Sequence, residues 1–356
     1  MATARTATAG TPSFNVVAAI KDYVNKLLSP ECVSGMKVLL LDAHTTGIVS
    51  LVYSKSQVLA KEVFLFEKLQ GTQARHALPD LRALVLVRPT EENINVLAEE
   101  LAAPLYAEYH LFFTNTLKDS QLKTLADADH HEVVRQVQVF YADIFPLTPE
   151  LFTLNIESCI PAGGQAHMSS LVGQMSDGLI SCFLALKREP IIRYQKNSEM
   201  CQLLAQAVRI NVVQKGRKLF GWSRRPVLLL MDRRNDPVTP LLMQWTYQAM
   251  VHHLFGLHNN RLNLAGCPGV KDEYKEVVLS QEQDDFFARN LYSNFGDLAI
   301  NVKSALDDLQ LQFHSNKNIQ TIDDMKSFVE NYPEFKKLSG KVTKHITVLD
   351  QASKLI

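Results

Sequence analysis

The stretch Lys37-Val38-Leu39-Leu40-Leu41-Asp42 sets the fold of the first part of this chain. Its apolar residues run without a break instead of alternating, the pattern of a strand covered on both faces, and an acid closes it. Upstream, Val17, Ile20, Val24, Leu27 and Leu28 recur at helical spacing over residues 15–28, and Pro30 ends the run. Downstream, Ile48–Tyr53, Val63–Phe66 and Leu84–Val87 read as further strands. Thr90 caps a helix over Glu91–Ala102, His110–Phe113 is strand-like, and Asp119–Ala128 is helical. Short buried strands alternating with helices imply an open α/β domain, a parallel sheet with helices on both faces.

In such sheets the working crevice lies beyond the carboxyl ends of the strands. Asp42, Arg88 and Thr114 follow three of the strands. No glycine fingerprint follows any of them; after Leu41 the chain reads Asp42-Ala43-His44-Thr45-Thr46-Gly47. Without Gly-x-Gly-x-x-Gly or Gly-x-x-x-x-Gly-Lys-Ser/Thr, a nucleotide has no obvious cradle, and no cofactor is implied.

Beyond Ile156, a strand-like stretch and a Pro161-Ala162-Gly163-Gly164 loop lead into helical regions at Met168–Lys187 and Met200–Val213, with Pro190 in the hinge between them. Val227–Met231 reads as a buried strand, and Pro240 opens a helix running to His253. Gly256–Gly269 is loop-rich. The remainder is mainly helical, at Gln283–Leu309, Ile322–Asn331 and, after Pro333, Lys336–Leu355. The last helix stops at Ile356 without a cap, which suggests a fragment.

The 356 residues are 46% hydrophobic and 21% charged, a globular profile with room for two or three domains. The 37 basic and 37 acidic residues cancel, which argues against a nucleic-acid binder. By segment, residues 1–155 carry 13 basic and 17 acidic groups, 156–250 carry 12 and 6, and 251–356 carry 12 and 14. The basic middle reads as complementarity between packed domains or as a surface for an acidic partner. The longest apolar run, around Leu179–Leu186, is too short to span a bilayer. Cys32, Cys159, Cys182, Cys201 and Cys267 form no Cys-x-x-Cys pair and suit a reducing compartment. The Ala/Thr-rich start, residues 1–14, reads as a disordered tail.

Few constellations carry chemistry. Asp232 and Asp236 lie four apart after a strand, but Arg233 and Arg234 stand between them, so a salt-bridged loop is a better reading than a Mg²⁺ site. His252, His253 and His258 lack metal-ligand spacing, and no Gly-x-Ser-x-Gly elbow is present.

The run Pro226-Val227-Leu228-Leu229-Leu230-Met231-Asp232-Arg233-Arg234-Asn235-Asp236-Pro237 continues to Leu241-Leu242-Met243-Gln244-Trp245-Thr246-Tyr247-Gln248-Ala249-Met250. It resembles the signature of the SM family (the STXBP/unc-18/SEC group), which regulates SNARE-mediated membrane fusion. Val87-Arg88-Pro89-Thr90, Leu151-Phe152-Thr153-Leu154-Asn155 and Lys337-Leu338-Ser339-Gly340-Lys341-Val342 match as well, and the forms look most like the vacuolar protein-sorting branch.

The resemblance implies an arch of three domains. Residues 15–155 would be the syntaxin-binding α/β domain, 156–253 the first part of a second α/β domain, and 254–356 the first part of a mainly helical third. The family pattern continues past Ile356, and a sheet lacking its returning strands would expose an apolar edge and face.

The implied function is non-enzymatic. The protein would bind a syntaxin-type SNARE and the assembled SNARE complex, and template SNARE assembly in trans-Golgi, endosomal and vacuolar transport. It would be cytoplasmic and reach those membranes only through partners. By position, Leu117, Asp119, Leu122, Leu125, Ala126 and Val134 match a pocket for a syntaxin N-terminal peptide. Asp42 and Glu67 match a cleft wall that holds the syntaxin helical bundle, and Gly47 stands where some relatives carry a basic residue. On the residues alone, the leucines read as core and Asp42 equally as a cap. The rival reading is an α/β hydrolase or nucleotide-dependent enzyme using Asp42, Asp232 and Asp236.

Overall fold

The computed structural model describes residues 14–70, 75–159, 164–215, 219–220, 225–317 and 322–356. The expected tail up to residue 13 and the loop residues 161–163 lie outside the described residues. The chain forms two compact units, one ending at Arg233 and the other spanning Arg234–Ile356.

The first unit opens with α1 (Val16–Leu28), whose N-terminus is capped by Asn15, Oδ1 accepting from the Ala18 amide at 2.8 Å. β1 (Lys37–Leu41) runs straight into α2 (Ala43–Val52), then α3 (Lys55–Leu59), β2 (Val63–Lys68) and β3 (Leu78–Val87). α4 (Glu91–Ala102), β4 (Tyr106–Phe113), α5 (Asp119–Ala128) and β5 (Val134–Val139) complete the layer. The five strands are all parallel, in the order β2-β1-β3-β4-β5. β1 shows why its unbroken apolar run is needed. Leu39 and Leu41 join α1 and α2 in one hydrophobic cluster, while Val38 and Leu40 join α4 and α5 in another on the opposite face.

Residues 48–53 do not form the expected strand; most of them belong to α2. Asp42 and Thr45 make a reciprocal capping box immediately after β1, so the chain turns helical at once. Ile48, Val49, Leu51 and Val52 then bury at helical spacing, a short apolar run that periodicity cannot separate from a strand. β5, the edge strand, escapes the sequence reading because only every third residue of Val134-Arg135-Gln136-Val137 is apolar.

The unit continues with the antiparallel pair β6 (Phe145–Thr148) and β7 (Leu151–Thr153). α6 (Gly164–Ala185), β8 (Ile191–Tyr194), α7 (Glu199–Lys215) and β9 (Val227–Leu230) follow. β8, a strand the sequence reading missed behind Pro190, pairs in parallel with β9. α6 and α7 share a cluster with Leu228 and Leu230. The expectation that Val227–Met231 is buried holds for one face only. Val227, Leu229 and Met231 are 63, 60 and 73% exposed, because the described residues cover just the helix side of this two-stranded sheet.

In the second unit a 3-10 turn at Thr239–Leu241 replaces the expected start of a long helix. The backbone becomes extended at Leu242, and α8 (Tyr247–Phe255) begins five residues later, ending at Gly256 with φ +75°. β10 (Leu257–His258), β11 (Arg261–Asn263) and β12 (Glu276–Val278) form an antiparallel sheet, and the first two fall within the region read as loop. Asn259 and Asn260, at φ +50° and +61°, make the tight turn between β10 and β11, where asparagine tolerates the left-handed region best after glycine. α9 (Asp285–Asn290), α10 (Phe295–Lys317) and α11 (Ile322–Ser353) follow. The break expected at Pro333 is absent; α11 runs through it, and the helix forgoes the one backbone hydrogen bond that proline cannot donate. No helix among the described residues is long and apolar enough to cross a membrane.

The apolar face of β9 predicts self-association of this chain. Leu229→Lys should reduce its concentration-dependent light scattering while leaving the melting temperature within about 2 °C, since the side chain is already in water. Unchanged scattering would show that another surface drives association.

Candidate functional site

α5 is held to its neighbours by polar side chains. Gln121, buried in its first turn, accepts from the Lys118 amide at 3.0 Å and donates to the Pro89 carbonyl at 2.9 Å. At the other end the Asp129 carboxylate accepts from the Val133 and Val134 amides at 2.9 and 3.1 Å, fixing the turn into β5. The buried stripe of α5 is therefore Gln121 and Leu125, four apart.

This placement divides the six residues matched to a peptide pocket. Leu117 and Leu125 are core, in the cluster with β4. Leu122, 47% exposed, and Ala126 form the next stripe round, facing out, with Asp119 exposed in the first turn. Val134 is half-buried against the same core. Val137, which the sequence reading did not include, is 41% exposed. It pairs with Leu111 and so lies on the face that α4 and α5 cover. The outward surface is thus Leu122, Ala126, Val137 and the edge of Val134, with the Asp119 carboxylate on the helix that bears them.

Asp42 occupies the switch point of the sheet, where the connections from β1 and β3 leave in opposite directions. Its carboxylate is fully used. Oδ1 accepts from the Thr45 amide at 2.7 Å and the Thr45 hydroxyl at 2.9 Å. Oδ2 accepts from the Arg88 amide at 2.9 Å and Asn93 Nδ2 at 2.7 Å. A second network carries Glu67, half-buried on the edge strand β2. Its Oε2 accepts from the Tyr106 hydroxyl at 2.7 Å. Burial, then the hydrogen bond and charge of Glu67, push the Tyr106 hydroxyl up, so it remains a donor. Nearby, Arg75 donates through both terminal nitrogens to buried Glu100, which also accepts from Tyr109 at 3.0 Å. Both Asp42 oxygens are engaged, whereas among the described residues Glu67 is bonded through Oε2.

Gly47 has a packing reason. A Cβ there would lie 2.7 Å from Cε1 of buried Phe145, so a side chain at this position requires the β6 ring to move.

Of the aspartates in the enzymatic reading, Asp42 caps α2 just after β1 of the five-stranded sheet, and Asp232 follows β9 of the two-stranded one. Asp232 accepts from Ser198 at 2.6 Å, and Asp236 accepts from the Thr239 amide at 3.2 Å. His252 Nδ1 accepts from the Leu257 amide, and no group of His, Cys, Asp and Glu among the described residues is arranged to hold a metal.

An open α/β layer whose crevice is filled by its own side chains, followed by a mainly helical unit, defines the class that the signature run suggests. The Sec1 family profile matches residues 37–356, and the chain belongs to that family, the SM proteins. It is 46% identical over 346 residues to vacuolar protein sorting-associated protein 45 of Dictyostelium discoideum, covering 96% of this chain and 60% of the relative. It is 47% identical over 351 residues to the Arabidopsis thaliana homolog, covering 96% and 61%. The solved SM protein Vps45 in complex with the Qa SNARE Tlg2 (1-310) superposes with a TM-score of 0.89 at 44% identity, over 96% of this chain and 62% of that one. The chain thus spans about three fifths of the length of the curated relatives it matches.

The carboxylates of Asp42 and Glu67 should behave differently. Asp42→Ala removes a cap worth about 1 kcal/mol and strands buried donors at about 1–3 kcal/mol each, so chemical denaturation should show a large loss. Glu67→Ala frees a single half-buried partner and should cost about 1 kcal/mol. Similar small losses in both variants would contradict the structural role given to Asp42.

Proposed function

We propose that this protein regulates SNARE-mediated vesicle fusion by binding a syntaxin-type SNARE in transport among trans-Golgi, endosomal and vacuolar membranes. The observation that carries this reading is the 0.89 superposition, at 44% identity over 96% of the chain, on an SM protein solved with a Qa SNARE. The protein acts by binding and carries out no reaction. Its switch-point crevice, where α/β enzymes hold substrates, is occupied by the Asp42 network. It reaches membranes from the cytoplasm through its partner.

The N-terminal peptide of the syntaxin docks on the outer surface of α5 and β5. Leu122, Ala126 and Val137 supply apolar contact there, Val134 the floor and Asp119 a rim charge for a basic residue. Binding energy concentrates in one or two anchors seated against such a patch. The helical bundle of the syntaxin lies against Glu67, with Asp42 holding the wall in place rather than touching the partner. SNARE assembly is templated on the same protein, which also binds the assembled complex. Domains at 15–155, 156–253 and 254–356 fit this role. α6 and α7 share an apolar cluster, although Cys182 of α6 joins the cluster of α1 and α2, and Tyr247 and Val251 of α8 share the core of the third part.

Titration of a labelled syntaxin N-terminal peptide tests the pocket. Leu122→Arg should weaken binding tenfold or more, about 1.4 kcal/mol, with an unchanged melting temperature because the position is exposed. Equal affinity of Leu122→Arg and wild type would remove the peptide from this surface. Leu117→Arg is a poor probe, since it places a charge in the core.

A further inference from the structure

Tyr247 is the largest fully buried side chain of the signature run. Its hydroxyl lies 2.8 Å from Nδ1 of His345 on α11, a residue without solvent exposure. His345 Nε2 lies 3.0 Å from Oδ2 of Asp284, which is buried and caps α9 through the Phe287 amide at 3.0 Å. The Lys344 ammonium pairs with the same Asp284 oxygen and donates to the Val278 carbonyl of β12 at 3.2 Å. The Phe286 ring packs on the imidazole at 4.6 Å. One continuous polar chain therefore joins α8, α9, α11 and β12 inside the apolar core of this unit.

The protons in this chain can be placed. Burial opposes the charge of Asp284, but the hydrogen bonds and charges of His345 and Lys344 outweigh it and hold the carboxyl well below the usual range. An ionised carboxylate only accepts, so Nε2 carries the hydrogen and Nδ1 the lone pair. Burial keeps the Tyr247 phenol protonated, and it donates to Nδ1.

A second proton on the imidazole breaks this order. Nδ1–H must then donate to the Tyr247 oxygen, which turns the phenol hydrogen away. Tyr247 is fully buried and, among the described residues, its hydroxyl is partnered by His345 alone, so that hydrogen is orphaned. The new charge also faces Lys344 and Lys341 of its own helix. On the α9 side Asp284 already serves Lys344, and exposed Asp285 sits 3.5 Å from Lys341. From α8, the Tyr247 hydroxyl faces it.

We propose that Tyr247, His345, Asp284 and Lys344 form a proton-sensitive latch, which holds the last turns of α11 on α8 and α9 while His345 is neutral and releases them when it is protonated. The direction of ionisation agrees. Burial pulls the His345 pKa below the ordinary histidine value, and Asp284 restores only part of the shift. A depressed histidine contributes stability that is complete above the unfolded value, about 6.5, and declines as pH falls below it.

Hydrogen–deuterium exchange of the whole chain, corrected for the intrinsic pH dependence of exchange, tests the latch. Protection of residues 342–352 should be high at about pH 7.5 and fall several-fold at about pH 5.5, below the ordinary histidine pKa. In His345→Gln, which keeps an N–H donor but cannot titrate, that segment should lose its pH response. No change in wild type, or an equal change in His345→Gln, overturns the proposal. Should His345→Gln fail to fold, histidine Cε1 NMR of the wild-type chain decides. The His345 resonance should stay in its neutral position at about pH 6.5 and move only where protection is lost. A midpoint at or above the ordinary histidine value overturns it.

Discussion

The carboxylate of Asp42 is the constraint on which the first unit depends. A strand buried on both faces delivers the residue that follows it to the point where the sheet connections part, and that residue is a buried acid. Four hydrogen bonds, from Thr45, Arg88 and Asn93, satisfy it. They start α2 and hold the loop after β3 and the first turn of α4. In enzymes of this topology the same place is open for a substrate anion beside helix N-termini. Here the chain supplies its own anion, so the interior of the crevice is committed to structure.

The outer surfaces are shaped by the same economy of polar groups. Gln121 and Asp129 spend their side chains on backbone partners at the two ends of α5. The helix is thereby rotated so that Leu125 points in and Leu122 points out. The helix therefore presents a leucine and an alanine to solvent, and the edge strand beside β4 presents Val137. The edge position of β5 matters too, since it leaves Val137 uncovered on a face that is closed elsewhere by α4 and α5.

The legible part of the fold was whatever carried a clear period. β1, the apolar half of β3, α4 and α5 could be read because their runs are either unbroken or spaced at helical intervals. α2 could not, because its apolar residues are packed too closely in sequence to show a period, and only the Asp42–Thr45 box reveals it. β8 and the Asn259-Asn260 hairpin are two to four residues long and hide behind loop-forming residues. At the site, Leu122 and Leu125 lie three apart, and either could face in. The decision falls to Gln121, a polar residue taking the buried place one turn before Leu125, which composition would assign to the surface.

The signature run shows how one conserved-looking string can serve two physical ends. Tyr247 and Met250 are fully buried, and Tyr247 reaches His345 across nearly a hundred positions of sequence. Leu241, Leu242 and Trp245, a few residues earlier, are half or more exposed. The division follows from the backbone. The 3-10 turn and the extended Leu242 do not present a repeating face, so their side chains cannot all reach one core, whereas α8 turns every third or fourth residue inward. The buried half needs particular atoms, because a buried phenol and a buried imidazole must share one hydrogen. The exposed half needs only apolar area, which tolerates exchange of one large side chain for another. Within this signature, Tyr247 is therefore the residue least replaceable by shape alone, even though phenylalanine would fill the same volume.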